Sequence, residues 1–423
     1  MNVCMMVANP ILYDGRVIRH AKTLVEAGHR VTVLGVIGPN DSDGALPADT
    51  PFAVKRLRRQ RHGVLPTLLW ATTALRQRMA QRLVSVLPDS MLNPLAEIAD
   101  LAVATSALEL AALTIGSSYD VFHGNDLNTL PAVAWAAKLH GKPYLYDAHE
   151  FYIEESPTLT QTERRARQLC ERRLSQQAFA VLTVNDLLAD ELQHRHQIPR
   201  PIVVRNVPPR FETTDPLDLP MGATGTLRLL YHGTHIGLRQ PGTDDVLRAM
   251  ARLRDELQLH LQLRGQITAD EQHELAQRVE ELGLTGLVET APPVPGPTAL
   301  MQAAVAGHAE LGLAFHPPLS GNFRLATSSK VYEYQVAGLA VCATDVPGNH
   351  VILDETAGVF YPFGDDAKLA AVFKELALDR PRLQRLRHRA RQRGRTEFAW
   401  ESERQRLLAV YEALDRRNKP ART

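Results

Sequence analysis

Through the first third of the chain, short apolar runs alternate with longer stretches whose apolar residues recur at helical spacing. Residues 2–8 read as a strand, residues 17–27 as a helix stopped by Gly28, and residues 31–36 as a second strand. Strand, helix and strand in that order predict a parallel sheet. The pattern returns in YDVFHGND (residues 119–126), a helix over 130–140 and a strand over 144–147. A short run, AFAVLT, closes at Thr183, and a helix follows from Asn185.

Periodicity lapses over residues 205–226, which are rich in Pro, Thr and Gly and read as a linker between domains. Alternation then restarts with LRLLYHG as a strand, a helix over 244–257, LHLQLRG as a strand and a helix over 269–282. LVET, a helix near 298–306, the strand AELGLAF, a helix over 328–337 and the strand LAVCAT follow. The expected class is α/β: two doubly wound halves with a ligand site at the strand carboxyl ends, in the crevice between the halves. Residues 380–418 are charged and helical. Their apolar stripe (Phe398, Leu407, Leu408, Val410, Tyr411 and Leu414) reads as the buried face of a packed amphipathic helix.

Composition narrows this picture in three places. A chain of 423 residues is long enough for two or three domains. Forty-eight basic against forty-seven acidic residues leave a net charge of +1, which gives no global attraction to nucleic acid or to an anionic membrane. Cys4, Cys170 and Cys342 stand far apart, so neither a disulfide framework nor a cysteine metal site is expected. With no apolar run long enough to span a bilayer and an N-terminus that reads as a strand, the expected setting is the reducing cytoplasm.

Candidate chemistry sits at the strand ends. His123 and Asp126 follow one strand, and His149 and Glu150 follow the next, so two imidazoles and two carboxylates are expected at neighbouring strand tips. The alternative is that Asp126 merely caps a helix and His149 is an ordinary loop histidine. Thr327, Ser328, Ser329 and Lys330 open a helix that carries Glu333 on the same face as Lys330. A helix N-terminus suits a phosphate, and a lysine in the first turn opposes the helix dipole unless an anion also sits there. The alternative is a surface ion pair between Lys330 and Glu333. Gly233, Thr234 and Arg239 after one strand, and Arg264 at the end of the next, repeat the theme more weakly. A basic region over residues 55–82 offers a peripheral contact to an anionic bilayer or an anionic acceptor, or else is a solvated face.

Taken in order, these segments resemble the family 4 glycosyltransferases of GT-B fold. The matching stretches are DGRVIRHAKTLVEAGHRVTVL, HGNDLNTLPA, LYDAHE, NVP, YHG, SSKVYEYQVAGLAVCATDVPG and FAWESERQRLLAVYEAL. The resemblance implies a Rossmann-like acceptor domain over 1–208, a Rossmann-like nucleotide-sugar domain over 227–395, and a helix over 396–418 returning to the first domain. It implies a retaining, metal-independent hexosyl transfer from a nucleotide diphosphate sugar, such as a UDP- or GDP-sugar, to a hydroxyl acceptor in polysaccharide or glycolipid assembly.

By the same resemblance His149, with Asp126 and Glu150, falls at the catalytic centre. Gly233, Thr234, Arg239, Arg264, Asn322, Arg324, Ser329, Lys330 and Glu333 fall at the donor, and Asp14, Arg16 and His123 at the acceptor. Glu333 matches the second glutamate of the family's Glu-x7-Glu pattern, whereas Leu325 stands at the first. Thr234 follows Gly233 where a basic residue is common, and Gln240-Pro241 stand where Lys-Gly is frequent. These departures keep two alternatives open, a non-catalytic partner of the same fold and, less favoured, a nucleotide-sugar 2-epimerase. No nucleic-acid partner and no metal are expected.

Overall fold

The structure, a computed structural model, describes residues 1–12, 14–38, 44, 50–58, 64–88, 91, 97–103, 107–210, 221–294 and 296–418. The chain forms two compact units, Met1–Arg205 with Arg404–Thr423, and Asn206–Glu403. Each is a wholly parallel sheet flanked by helices, as the alternation of elements requires.

In the first unit the strands are β1 (Asn2–Met6), β2 (Arg30–Ile37), β3 (Ala53–Arg58), β4 (Val121–Asn125), β5 (Tyr144–Ala148), β6 (Ala180–Thr183) and β7 (Ile202–Val203). Their order is β3-β2-β1-β4-β5-β6-β7. β4 and β5 are buried throughout, the signature of strands covered on both faces. Strand order reverses between β1 and β4, the switch point at which open α/β sheets build sites. Register places Asn125 beside Asp147 there.

The helix Gly15–Glu26 starts at Asp14, whose carboxylate accepts from the Val17 amide at 3.0 Å, and it buries Arg16, Val17, His20, Ala21 and Leu24. That one-face spacing carries Arg16 and His20 inward beneath the strand tips. The apolar stripe at the other end of the chain is buried as expected: Leu407, Val410, Tyr411 and Leu414 are buried in this unit, and Arg404 pairs with Glu26 at 2.9 Å.

In the second unit β8 (Thr226–His235), β9 (Gln258–Gln266), β10 (Val288–Ala291), β11 (Leu311–Ala314), β12 (Ala340–Thr344) and β13 (Gly358–Tyr361) take the order β10-β9-β8-β11-β12-β13. Leu227, Leu229, Leu261, Leu263, Leu311, Leu313 and Phe373 form the middle of its core. Burial of each such side chain is worth roughly 1.5–3 kcal/mol. Gly242 precedes the helix Thr243–Leu253 with φ of 90°, and a Cβ there would sit 2.6 Å from the Phe315 ring. Glycine thus lets the backbone close on an aromatic at the switch between β8 and β11.

Two boundaries differ from the sequence reading. The helix expected from residue 396 begins at Trp400, and Arg380–Thr396 is a separate helix. Phe398 breaks the run by turning inward, where its ring meets Tyr332 edge-on at 5.1 Å under the Arg393 guanidinium. The basic residues Lys55, Arg56 and Arg58 lie on β3, an edge strand, where charge discourages edge-to-edge pairing. The rest of that basic run, residues 59–63, lies outside the described residues, as do residues 211–220 of the expected linker. Cys4, Cys170 and Cys342 are all buried as free thiols, and burial pushes each thiol pKa up.

Candidate active site

At the tips of β4 and β5 the first unit assembles a charge cluster. Asp126 follows β4 with φ of 70°, a left-handed conformation costly for a residue with a Cβ. Its amide donates to the Asp147 carbonyl at 3.0 Å, and its own carbonyl accepts from the Thr129 amide at 3.2 Å. The next helix, Leu130–His140, has Thr129 as its cap and receives no side-chain capping bond. The Asp126 carboxylate is therefore not a helix cap. It turns to His149, 2.8 Å from Nδ1, and accepts a short hydrogen bond from the Tyr152 hydroxyl.

His149 Nε2 faces Asp147 Oδ2 at 3.1 Å. Asp147 is fully buried and is gripped by Arg16, Nε to Oδ2 at 2.9 Å and Nη2 to Oδ1 at 2.7 Å; Arg16 also donates to the Val204 carbonyl at 2.7 Å. His20 and His123 approach the same Oδ2 at 3.6 and 3.9 Å, and His123 Nδ1 lies 2.8 Å from the Tyr411 hydroxyl. His20, His123 and Asp147 bring ligand atoms within 4.8 Å of one another, but the Arg16 guanidinium already supplies positive charge at that carboxylate.

Charge in this cluster balances. Burial alone would depress the His149 imidazolium, but Asp126 and Asp147 outweigh it and the pKa is raised to about 10. Burial also opposes the Asp147 carboxylate, yet Arg16 and His149 hold it well below the usual range. Burial and Arg16 keep His20 neutral. Two cations thus face two anions, with Arg16 and Asp147 buried and His149 and Asp126 partly exposed, and an unpaired charge at the buried pair would cost several kcal/mol. At neutral pH the raised pKa keeps His149 protonated, a cation between two carboxylates.

A pH dependence of stability follows from this pair. The folded pKa of His149 lies above its ordinary 6.5, so its contribution is complete below pH 6.5 and is lost as pH rises through about 10. The thermal midpoint of the wild type should fall over that interval, and His149→Gln should remove most of the fall. An unchanged alkaline slope in the variant would show that the cation is not held as described.

The second unit builds a different site on the helix Ser329–Ala337. Ser328 precedes it with no side-chain capping bond. Glu333 Oε2 lies 3.0 Å from His232 Nε2 at the end of β8. The His232 amide donates to the Tyr334 hydroxyl at 3.2 Å, and that hydroxyl donates to the Leu313 carbonyl at 3.2 Å. Gly312 makes room for the Tyr334 ring, which a Cβ would strike. The Lys330 ammonium stands 5.7 Å from the Tyr231 ring centroid, and Tyr231 stacks on Phe315 at 4.8 Å. Lys330 forms no ion pair among the described residues; burial lowers its pKa and Glu333 partly restores it. Burial, then Lys330, pushes His316 down to about 4.

The remaining expected residues are placed as follows. Glu150 is half-buried directly after His149, and Asp14 receives the Asn9 side chain at 2.8 Å besides capping its helix. Gly233 and Thr234 end β8 at an irregularity in its pairing with β9. Arg239 is exposed and bonds Glu274 at 3.1 Å, while Arg264 donates to the Pro292 carbonyl at 2.9 Å and to Gln262 at 3.1 Å. Asn322 is buried and Arg324 exposed on the short helix Gly321–Leu325, and Ser329 is half-buried. The structure thus brings Lys330, Glu333, His232 and Tyr231 together and turns Arg239 and Arg264 to other partners. Arg16 and His123 lie inside, holding Asp147.

Two family models match the chain, a glycosyl transferase 4-like domain over residues 16–208 and glycosyl transferases group 1 over residues 226–379. The chain belongs to the family 4-like, group 1 glycosyltransferases. Solved structures agree on the fold, which is GT-B. The glycosyltransferase is similar to sucrose-phosphate synthase from Thermosynechococcus elongatus at 16% identity, covering 99% of this chain and 100% of that one, with a TM-score of 0.70. It is similar to Anabaena HepE in complex with UDP at 16% identity, covering 98% and 100%, with a TM-score of 0.66. A glycosyltransferase from Rickettsia africae follows at 13% identity, covering 99% of both chains, with a TM-score of 0.64. No curated protein sequence matches the chain.

Polar residues of these two clusters that the sequence reading did not single out are Asp147, His20, Tyr152 and His316, while His232 was read within the YHG segment and Tyr411 only as part of a buried stripe. Asp147 stands two residues before His149 and His232 within the YHG segment, so a polar residue inside an apolar strand was the available signal. Tyr411 had none, because its partner is 288 residues away.

Proposed function

We propose that this glycosyltransferase moves a sugar from a nucleoside diphosphate donor to a hydroxyl acceptor with retention of configuration. The second unit takes the donor and the first unit the acceptor. The observation that carries the reading is Lys330, an ammonium without an ion-pair partner among the described residues, at the start of the helix Ser329–Ala337. A cation there opposes the helix dipole until an anion arrives, and a departing diphosphate is such an anion. Glu333, whose Oε2 lies 3.0 Å from His232 Nε2, offers its carboxylate to ribose hydroxyls. Lys330 supplies positive charge where the diphosphate departs, and the transfer is read as metal-independent.

Ser329, Asn322, Arg324, Gly233 and Thr234 are read as further donor contacts. Arg239 and Arg264 join them only by exchanging their present partners. His149, fixed as a cation, orients a hydroxyl by donating rather than by removing a proton. Asp126 and Asp147 hold it, Arg16 and His123 act from behind Asp147, and Asp14 and Glu150 border the same strand tips. The acceptor class is a glycan, a lipid-linked glycan or a small hydroxyl compound.

HepE of Anabaena has been solved with UDP and with UDP-glucose, so uridine nucleotides come first in a test. Thermal unfolding with a panel of nucleotides and nucleotide sugars should show one of them raising the midpoint by several degrees. A ligand at a hundred times its Kd stabilises by about 2.7 kcal/mol. The absence of any shift across UDP, GDP and their sugars would overturn the reading. Leu325, in place of the family's first glutamate, favours a second reading as a non-catalytic partner. Nucleotide binding with no transfer or donor hydrolysis would support it.

A further inference from the structure

Over residues 75–86 the helix Val64–Val86 has two apolar faces. One is packed: Ala80 and Val84 are buried with Ala102 and Ala166, and Gln77 donates to the Ala102 carbonyl at 3.2 Å. The other is open. Leu75, Met79, Leu83 and Val86 are 57, 56, 38 and 72% exposed. At about 100° per residue these four fall within an arc of roughly 80°, opposite the packed face. Scattered exposed apolar residues are ordinary, but a continuous stripe of large ones marks a surface that meets something apolar.

What flanks the stripe decides its partner. Arg78 and Arg82 border it on one side, exposed and without an ion pair among the described residues. Arg76 borders the other and reaches Glu109 at 3.5 Å. Residues 64–86 contain no aspartate or glutamate. A two-fold contact with a second copy would set these arginines against one another, so self-association is disfavoured. An apolar stripe between rows of arginine matches the boundary of an anionic bilayer, where acyl chains lie beneath phosphates.

We infer that residues 75–86 of this helix are a docking surface for an anionic lipid bilayer, entered by Leu75, Met79, Leu83 and Val86 and held by Arg78 and Arg82. The helix lies on the membrane. No helix among the described residues is long and apolar enough to cross one. Sugar transfer is a separate matter, so vesicle binding and transfer succeed or fail independently.

The test is co-sedimentation of the full chain with phosphatidylcholine vesicles, with and without about a third phosphatidylglycerol. Each basic residue near an anionic surface contributes roughly fivefold, so binding should tighten at least tenfold with the anionic lipid and weaken with salt. Met79→Asp should abolish binding, and Arg78→Glu with Arg82→Glu should remove the preference for anionic lipid. All three side chains are exposed, so thermal midpoints should be unchanged; a variant that unfolds is replaced by Leu75→Ser with Met79→Ser. Equal binding to both vesicles, or none to either, overturns the inference. So does a concentration-dependent dimer in light scattering that Met79→Asp dissolves.

Discussion

Lys330→Ala is expected to lower the rate of sugar transfer by about 10²–10³-fold and to leave the fold intact, because a lost charge contact to a developing anion typically costs that much. The two halves of this expectation have separate causes. In the free protein the ammonium forms no ion pair among the described residues, its burial lowers its pKa, and it opposes the dipole of its own helix. Those costs of up to ~1 kcal/mol offset the similar gain from the Tyr231 ring. Stability should therefore move by less than about 1 kcal/mol in either direction. Once a diphosphate departs, the same ammonium has a partner in a site of reduced dielectric. Transfer by the variant at near wild-type rate would remove Lys330 from the site and the donor assignment with it.

Asp147→Ala should act on both stability and turnover. Arg16 and Asp147 are buried and doubly hydrogen-bonded, and removing one member strands the other charge at a cost of about 3–5 kcal/mol. Against a total stability of roughly 5–15 kcal/mol, that is a large fraction. His149 loses one of its two carboxylates at the same time and is left oriented by Asp126 alone. Urea unfolding should show a lowered midpoint with an unchanged slope. Replacing both partners, Arg16→Met with Asp147→Leu, separates the two effects, since an apolar pair of similar volume removes the stranded charge. The double variant should regain much of the stability and none of the turnover. A single variant as stable as the wild type would show that the pair is not buried as described.

The alternation of apolar and helical runs was sufficient to read both parallel sheets, because buried strands such as Val121–Asn125 are almost continuously apolar and their helices are capped by Asp14, Asn185 and Thr268. Strands that pack on one side only were harder. Residues 53–58 carry three basic side chains at a sheet edge and looked like a charged patch, and Ile202–Val203 is too short to show a period. In the site, His149, Asp126, Lys330 and Glu333 were legible from their places at strand and helix ends. Their supports were not. Asp147 draws on Arg16 from 131 residues away, and His123 on Tyr411 from the far end of the chain, pairings that no local pattern encodes. Arg239 and Arg264 were legible as cations, but a carboxylate or a carbonyl within reach decides where a guanidinium points.

The three buried cysteines have a practical consequence. A thiol reacts as the thiolate, and burial both raises the pKa of Cys4, Cys170 and Cys342 and shields them from reagent. The folded wild-type chain should thus be nearly silent toward maleimides. A cysteine installed at an exposed position such as Ser85 becomes the single reactive handle, so a fluorophore or spin label can be placed without first removing the native cysteines.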